Sequence, residues 1–444
     1  MTEEELDPGV VPVPKRDLLV RLGLGLAALF GLLGGPAAMA VGRGWWQPLD
    51  RTAMTMNSPS GSPRNGGAIA FSQSSIDRPG LVRARLQALL DAQAAALLGG
   101  DEAGFLAPVD PGNSALRGDL SRRFVVLRSM NIAGWTETLG GEPEAVEGGW
   151  RAVVRIGYCF VVAGCEPVVI PVPTRWADAP GPPRLVELGS SDASDLGPRP
   201  WEVSDLRVAI GSRVVVAATP RYADRVPALL AAAEKAAAVT DRYARWGPPP
   251  GRYLVYLAGP EEWGRWYGVR QAQWVAGYAM PITVRHAEIV LNGQRVAGDE
   301  VVDTLRHEFA HVVTLVDVHR DYSAQWWLVE GVAEYVRMVG RPLSEYELLS
   351  ASRRYVRAGN PTGVPALTEP AASASAEDAS GRYGVAFLSV RRLAERYGEE
   401  KMLRFFDQVV RQGVAPQSAA AGEFGVDWGE ITGDCAGYVR RNLG

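Results

Sequence analysis

Hydrophobic and polar positions divide the 444-residue chain into stretches of different period. Residues 22–42, "LGLGLAALFGLLGGPAAMAVG", are uncharged and mostly apolar, whereas 57–67, "NSPSGSPRNGG", are polar and rich in Gly, Ser and Pro. From "LVRARLQALLDAQAAALLGGDEAGFLAPV" onward the apolar residues recur at helical spacing, closing near Gly99-Gly100. The pattern then shortens. "RRFVVLRSM", "AGWTETL", "GWRAVVRIGYCFVV", "PVVIPVPTRWAD" and "PRLVELGS" are runs rich in Val, Ile, Trp and Thr between Gly/Pro punctuation, which predicts strands. A second polar linker spans 189–204. Beyond it, "LRVAIGSRVVVAA" predicts strand, "ADRVPALLAAAEKAAAVTDRYARW" an amphipathic helix, and "RYLVYLA", "QWVAGYAM" and "EIVLNG" strands again. From about Gly298 the pattern is helical.

The expected fold class is α+β: an N-terminal transmembrane helix, a small domain of helix followed by antiparallel sheet, and a C-terminal domain with an upstream sheet and a helical half. The boundaries read as a cytoplasmic leader at 1–17, an anchor or signal segment at 18–42 and a linker at 43–67. A small α+β domain at 68–188, a linker at 189–204 and the C-terminal domain at 205–444 follow. The 22–42 run is just long enough to span a bilayer, with Lys15, Arg16 and Arg21 before it and Trp45 and Trp46 after it. That arrangement predicts a single-pass protein held in the membrane by this helix, with the C-terminal domain extracytoplasmic. Ala38-Met39-Ala40 also fits a signal-cleavage pattern, and the alternative is secretion after cleavage.

Composition narrows the function classes. Hydrophobic residues at 47% and charged residues at 22% describe a globular chain. A net charge of −4 supplies no basic footprint for nucleic acid. Cys159 and Cys165 flank "FVVAG" and are either bridged in an oxidising compartment or two buried thiols; Cys435 is left over.

The chemistry concentrates in "DEVVDTLRHEFAHVVTLV", a predicted helix over 299–316. At 100° per residue, His311 lies roughly 40° and Glu308 roughly 100° from His307. Val302, Leu305, Phe309, Val312, Val313 and Val316 cluster on the opposite side. Two imidazoles at i and i+4 can reach one zinc ion, and the glutamate between them can take a proton from a water held there. A catalytic zinc site needs a third protein ligand and an open position. Asp317 stands six residues after His311, where metzincins place a third ligand beyond a helix-breaking glycine. Thr314 occupies that glycine's position, and on a continuing helix Asp317 points away from the metal. His319 has no recognised spacing and falls in the turn "DVHRDYSAQ".

Glu330, in the predicted helix "WWLVEGVAEYV" at 326–336, completes HExxH-x18-E from His307, Glu308 and His311. Both motif helices resemble the gluzincin zinc metallopeptidases, in the peptidase MA-like group related to the M1 aminopeptidases. The resemblance covers about 205–415 and is specific at these helices alone. It implies Zn2+ as cofactor, His307, His311 and Glu330 as its ligands, Glu308 as general base, and a peptide or protein as substrate. Glu334, one turn beyond Glu330, can orient a metal-bound imidazole through its free ring nitrogen. In "GRYGVAFLSVRRLAERYG" the resemblance implies Tyr383 as a donor to the oxyanion. M1 aminopeptidases carry Gly-Ala-Met-Glu-Asn in a strand before the active-site helix, whereas "VAGYAMPITV" lacks that glutamate, which favours endopeptidase action. The alternative function is a catalytically degenerate zinc-binding scaffold or peptide-binding protein. By element order alone, the small domain resembles the NTF2-like superfamily.

Overall fold

Alternation writes the small sheet. The computed structural model describes residues 78–444 except 163, 192–195, 270, 273 and 299. Strands β1 (Ile132–Leu139), β2 (Glu144–Val146), β3 (Gly149–Phe160), β4 (Val168–Ala177) and β5 (Arg184–Leu188) pair antiparallel in the order β1-β3-β4-β5, with β2 on β3. Trp150, Ala152, Val154, Ile156 and Tyr158 of β3 are buried, while Arg151 and Arg155 between them are exposed, as a strand with one covered face requires. Helices α1 (Arg78–Gly99) and α2 (Ser114–Ser129) precede the sheet, and α1 packs on β1. Cys159 and Cys165 form a disulfide.

"RRFVVLRSM", expected as a strand, is instead the end of α2. Leu116, Leu120, Phe124 and Leu127 recur at helical spacing and are buried, and the Asn113 side chain accepts from the Leu116 amide to start the helix. The β-branched residues at its end obscured a helix begun eight residues earlier.

The described chain forms two compact units. The small one ends at Asp205 and also takes in Trp266–Val269, an excursion that no linker signalled; the other comprises Leu206–Arg265 and Arg270–Gly444. In the larger unit β6 (Arg207–Ile210), β7 (Val214–Ala218), β8 (Tyr253–Ala258), β9 (Gly277–Thr283) and β10 (His286–Asn292) form a mixed sheet ordered β6-β7-β8-β10-β9. β7, β8 and β10 run parallel, and β7 and β8 are buried at every position, as central parallel strands are. β9 is an edge strand, antiparallel to β10. Helix α3 (Val226–Thr240) packs on β7 and on α4 (Glu300–Thr314). Then come α5 (Trp326–Arg337), α6 (Leu349–Arg357), α7 (Ala376–Tyr397), α8 (Pro416–Phe424) and α9 (Trp428–Leu443). α5 packs between α4 and α7.

No helix among the described residues is long and apolar enough to cross a membrane. This corrects the transmembrane helix in the expected fold class and the single-pass placement in a membrane. The two longest described helices, α1 and α7, reach 22 residues each but both carry charge, α1 through Arg83, Arg85 and Asp91. α7 carries Glu377, Asp378, Arg382, Arg391, Arg392, Glu395 and Arg396, charges that hydrocarbon does not accept without partners. The 22–42 run itself lies outside the described residues.

Candidate metal centre

α4 begins with Glu300 and Asp303 in its first turn, where the helix dipole favours negative charge. Its apolar stripe is buried through Leu305, Phe309 and Val313, and Phe309 stacks on Tyr253 of β8 with ring centroids 4.0 Å apart. The opposite stripe is buried too. His307 and His311 are each 3% exposed and Glu308 0%, so the histidine face is an interior surface met by α5.

α5 reaches its position because Gly331 has no side chain. A Cβ there would lie 2.5 Å from Val390 Cγ2 and 2.7 Å from the Ala386 carbonyl oxygen, both on α7. Gly331 therefore permits close approach to α7, not to α4 as its place beside Glu330 suggested.

Three donor atoms converge. His307 Nε2 and His311 Nε2 are 3.1 Å apart, and Glu330 Oε2 lies 3.2 Å from the first and 3.4 Å from the second. Tetrahedral ligands at ~2.0–2.1 Å from a zinc ion stand about 3.3–3.4 Å from one another. The three atoms thus have the spacing of one face of such a tetrahedron. Glu330 Oε2 makes no aligned hydrogen bond at these distances, and both oxygens of Glu308 are buried without a hydrogen-bond partner. Unpaired lone pairs facing a common point are costly unless a cation or an ordered water meets them. The donor set fits zinc.

The surroundings sort the protonation states. Burial opposes a charge on His307, but Glu330 and Glu334 outweigh it and raise the imidazole to about 10. Burial lowers His311, against the pull of Glu330. The two carboxylates beside it thus favour a proton on His307 over one on His311. Burial raises Glu330, but His311 and His307 bring its carboxyl below the usual range. Burial pushes Glu308 up to about 8; His307 opposes this and Glu330 adds to it, while the Ala279 amide, outside hydrogen-bond alignment, pulls it down.

Glu334 meets His307 directly, Oε1 to Nδ1 at 2.8 Å. In the neutral imidazole that a metal requires, Nδ1–H donating to that carboxylate leaves the Nε2 lone pair on the side of His311 and Glu330. Tyr383 on α7 is fully buried, its ring centroid 6.0 Å from that of His307 and 5.2 Å from that of Trp326. Burial raises the phenol well above its ordinary range, with Glu330 and Glu308 adding to the effect, so it stays protonated. β9 passes beside the site: a Cβ at Gly277 would lie 3.3 Å from Glu308 Oε1. Asp317 has left the helix at φ +58° and pairs with Arg285 at 2.7 Å; His319 is exposed. Neither joins the cluster of His307, His311 and Glu330.

Two residues near the centre escaped the sequence reading. Tyr322, in the turn before α5, has its phenol raised by burial and by the charge of Glu330. Arg337 is 2% exposed and lies three residues after Glu334 on α5. Its i, i+3 spacing from an acid was the available signal, but such pairs are usually surface ornaments of a helix.

The chain matches no family model and no curated protein. Among solved structures, it is similar to an M1 zinc metallopeptidase from Deinococcus radiodurans at 15% identity and a TM-score of 0.30. The match covers 69% of this chain and 61% of that one, so the chain spans about three fifths of that enzyme's length. A TM-score of 0.30 is too low to assign a fold or an activity.

Proposed function

We propose that this chain is a zinc metallopeptidase of the gluzincin type that cleaves within peptide or protein substrates. The observation that carries the reading is the convergence of His307 Nε2, His311 Nε2 and Glu330 Oε2 at 3.1–3.4 Å beside the unpartnered Glu308 carboxyl. Zinc, when bound, supplies Lewis-acid polarisation and lowers the pKa of water into the neutral range. His307, His311 and Glu330 hold it, and Glu334 fixes the His307 ring. Glu308 takes the proton from the attacking water and returns it to the leaving amine. The Tyr383 phenol, kept protonated by its surroundings, donates to the oxyanion that develops on the peptide carbonyl. The free edge of β9 beside Glu308 offers main-chain pairing to an extended peptide.

One observation favours a second reading, a zinc-holding scaffold without turnover. Glu308 and Tyr383 are fully buried, so a substrate carbonyl reaches them only when covering side chains move. Metal analysis combined with digestion of a peptide library separates the two. Wild type should bind one zinc and cleave, while Glu308→Gln should keep the zinc and lose cleavage by at least ~10²-fold, the usual contribution of a general base. One bound zinc with no cleavage by either protein would establish the scaffold.

The cleavage mode follows from what β9 lacks. An aminopeptidase must desolvate a substrate ammonium, which costs several kcal/mol without an anionic partner. "GYAMP" supplies none. A peptide and its N-acetylated form should be cut at similar rates; removal of single residues from the free form alone would overturn the endopeptidase assignment.

A further inference from the structure

Arg337 spends its guanidinium in the interior. Its side chain is 3% exposed, Nη1 donates to Glu334 Oε1 at 3.3 Å, and Nη2 donates to Glu347 Oε2. Desolvating a guanidinium costs several kcal/mol unless good partners meet it. Both partners here are carboxylates, held by separate arms of one planar fork, a geometry that a lysine ammonium does not reproduce. The oxygen taken by Nη1 is the same Oε1 that His307 Nδ1 meets at 2.8 Å. Glu347, Arg337, Glu334 and His307 therefore form one chain of contacts, buried from Arg337 onward, ending at a candidate metal ligand. It is tied down further on: Arg306 Nη1 donates to the Arg337 carbonyl at 3.4 Å, and Arg341 bridges Asp303 at 2.5 Å and Glu345 at 3.0 Å.

We infer that Arg337 is a positioning residue for the metal centre, acting through Glu334 to fix the ring orientation of His307 and aim its Nε2 at the ion. A carboxylate on a helix can rotate about its terminal bonds. Arg337 restrains that freedom by engaging Oε1, the same oxygen the imidazole meets, so the His307 Nδ1–H finds its acceptor in one place. The inference rests on the zinc reading above and adds to it a residue that touches neither metal nor substrate.

The test is a double-mutant cycle on the full chain. Zinc affinity is measured by competition with a chromophoric chelator for wild type, Arg337→Met, Glu334→Gln and the double variant. The visible absorption of each Co2+-substituted protein reports the geometry at the ion, and melting of each metal-free protein reports folding. Each single change should weaken zinc about tenfold to a hundredfold, as loss of groups orienting a metal ligand does. The double variant should bind no more weakly than the weaker single, and the two single Co2+ spectra should shift alike. Arg337→Lys should recover part of the affinity. If Arg337→Met does not fold, the same cycle run with Arg337→Lys decides the matter. Additive losses, or a lower melting temperature with unchanged affinity and Co2+ spectrum, would make Arg337 a structural anchor only. Absence of zinc from wild type would overturn the metal reading itself, an outcome distinct from bound zinc that is indifferent to Arg337.

Discussion

Glu330 gives a single oxygen to the centre, and that oxygen touches both imidazoles at 3.2 and 3.4 Å. Asp317, the competing acid from the sequence, is committed to Arg285 outside the cluster. Glu330→Ala should therefore weaken zinc by more than about a hundredfold, beyond the range typical of groups that merely orient a ligand. Asp317→Asn should leave affinity unchanged. Metal content after dialysis against a weak chelator checks both, and the reverse pattern would move the third ligand to Asp317. The difference between the two acids was partly legible: helical spacing already turned Asp317 away. That Glu330 returns to the histidines across 18 intervening residues was legible only through resemblance, because no local rule governs such a separation.

At the scale of elements, the approach of α5 to α7 is set by a glycine. At Gly331 an added Cβ meets backbone as well as side chain of α7, and Glu330 is the adjacent residue. Gly331→Ala should destabilise the protein by about 1–3 kcal/mol, the usual effect of overpacking, and weaken zinc by displacing Glu330. Gly433 in α9 has nothing within 4 Å of the same added atom. There alanine should stabilise by about 0.5–1 kcal/mol through helix propensity alone. Thermal melting of the two variants with and without zinc checks the contrast; equal shifts would remove the packing role of Gly331. A glycine beside Glu330 is visible in the sequence, but which neighbour it faces depends on the rotation of the helix in the bundle.

At the scale of the whole described chain, one buried acid ties the stability of the small unit to pH. In the small unit Glu137 is 6% exposed, accepts from Trp135 Nε1 at 2.8 Å, and leaves Oε2 without a partner. It lines a cavity of about 20 Å³, room for roughly one water, together with Trp135, Trp176 and Trp201. Burial raises its carboxyl to about 7, the Trp135 hydrogen bond opposing and Asp91 adding. A folded pKa above the unfolded value of 4.5 contributes stability that is fully present below pH 4.5 and lost as pH rises through about 7. The loss amounts to about 3 kcal/mol, from a shift of roughly 2.5 pKa units. Glu137→Gln should remove that slope, and hydrogen exchange of β1 at pH 5 and pH 8.5 reads it. An unchanged slope in the variant would assign the pH dependence elsewhere. The sequence reading passed over this inward acid, although alternation from Trp135 to Glu137 to Leu139 places the charge on the covered face.

What the sequence determined by itself lies within a few residues along the chain. A helix of 3.6 residues per turn sets His307 beside His311 with Glu308 between them, whatever packs around it. The Val- and Ile-rich runs between Gly and Pro already predicted strands at β3, β7 and β8. Tertiary structure decided the rest. The histidine stripe is buried because α5 lies on it, and Glu330 completes the donor set because Gly331 seats α5 against α7. The link from Arg337 through Glu334 to His307 arises because α4 and α5 meet at this rotation. Periodicity is written by neighbours in sequence. Which faces meet is settled by packing among elements far apart in the chain, where no local pattern carries the information.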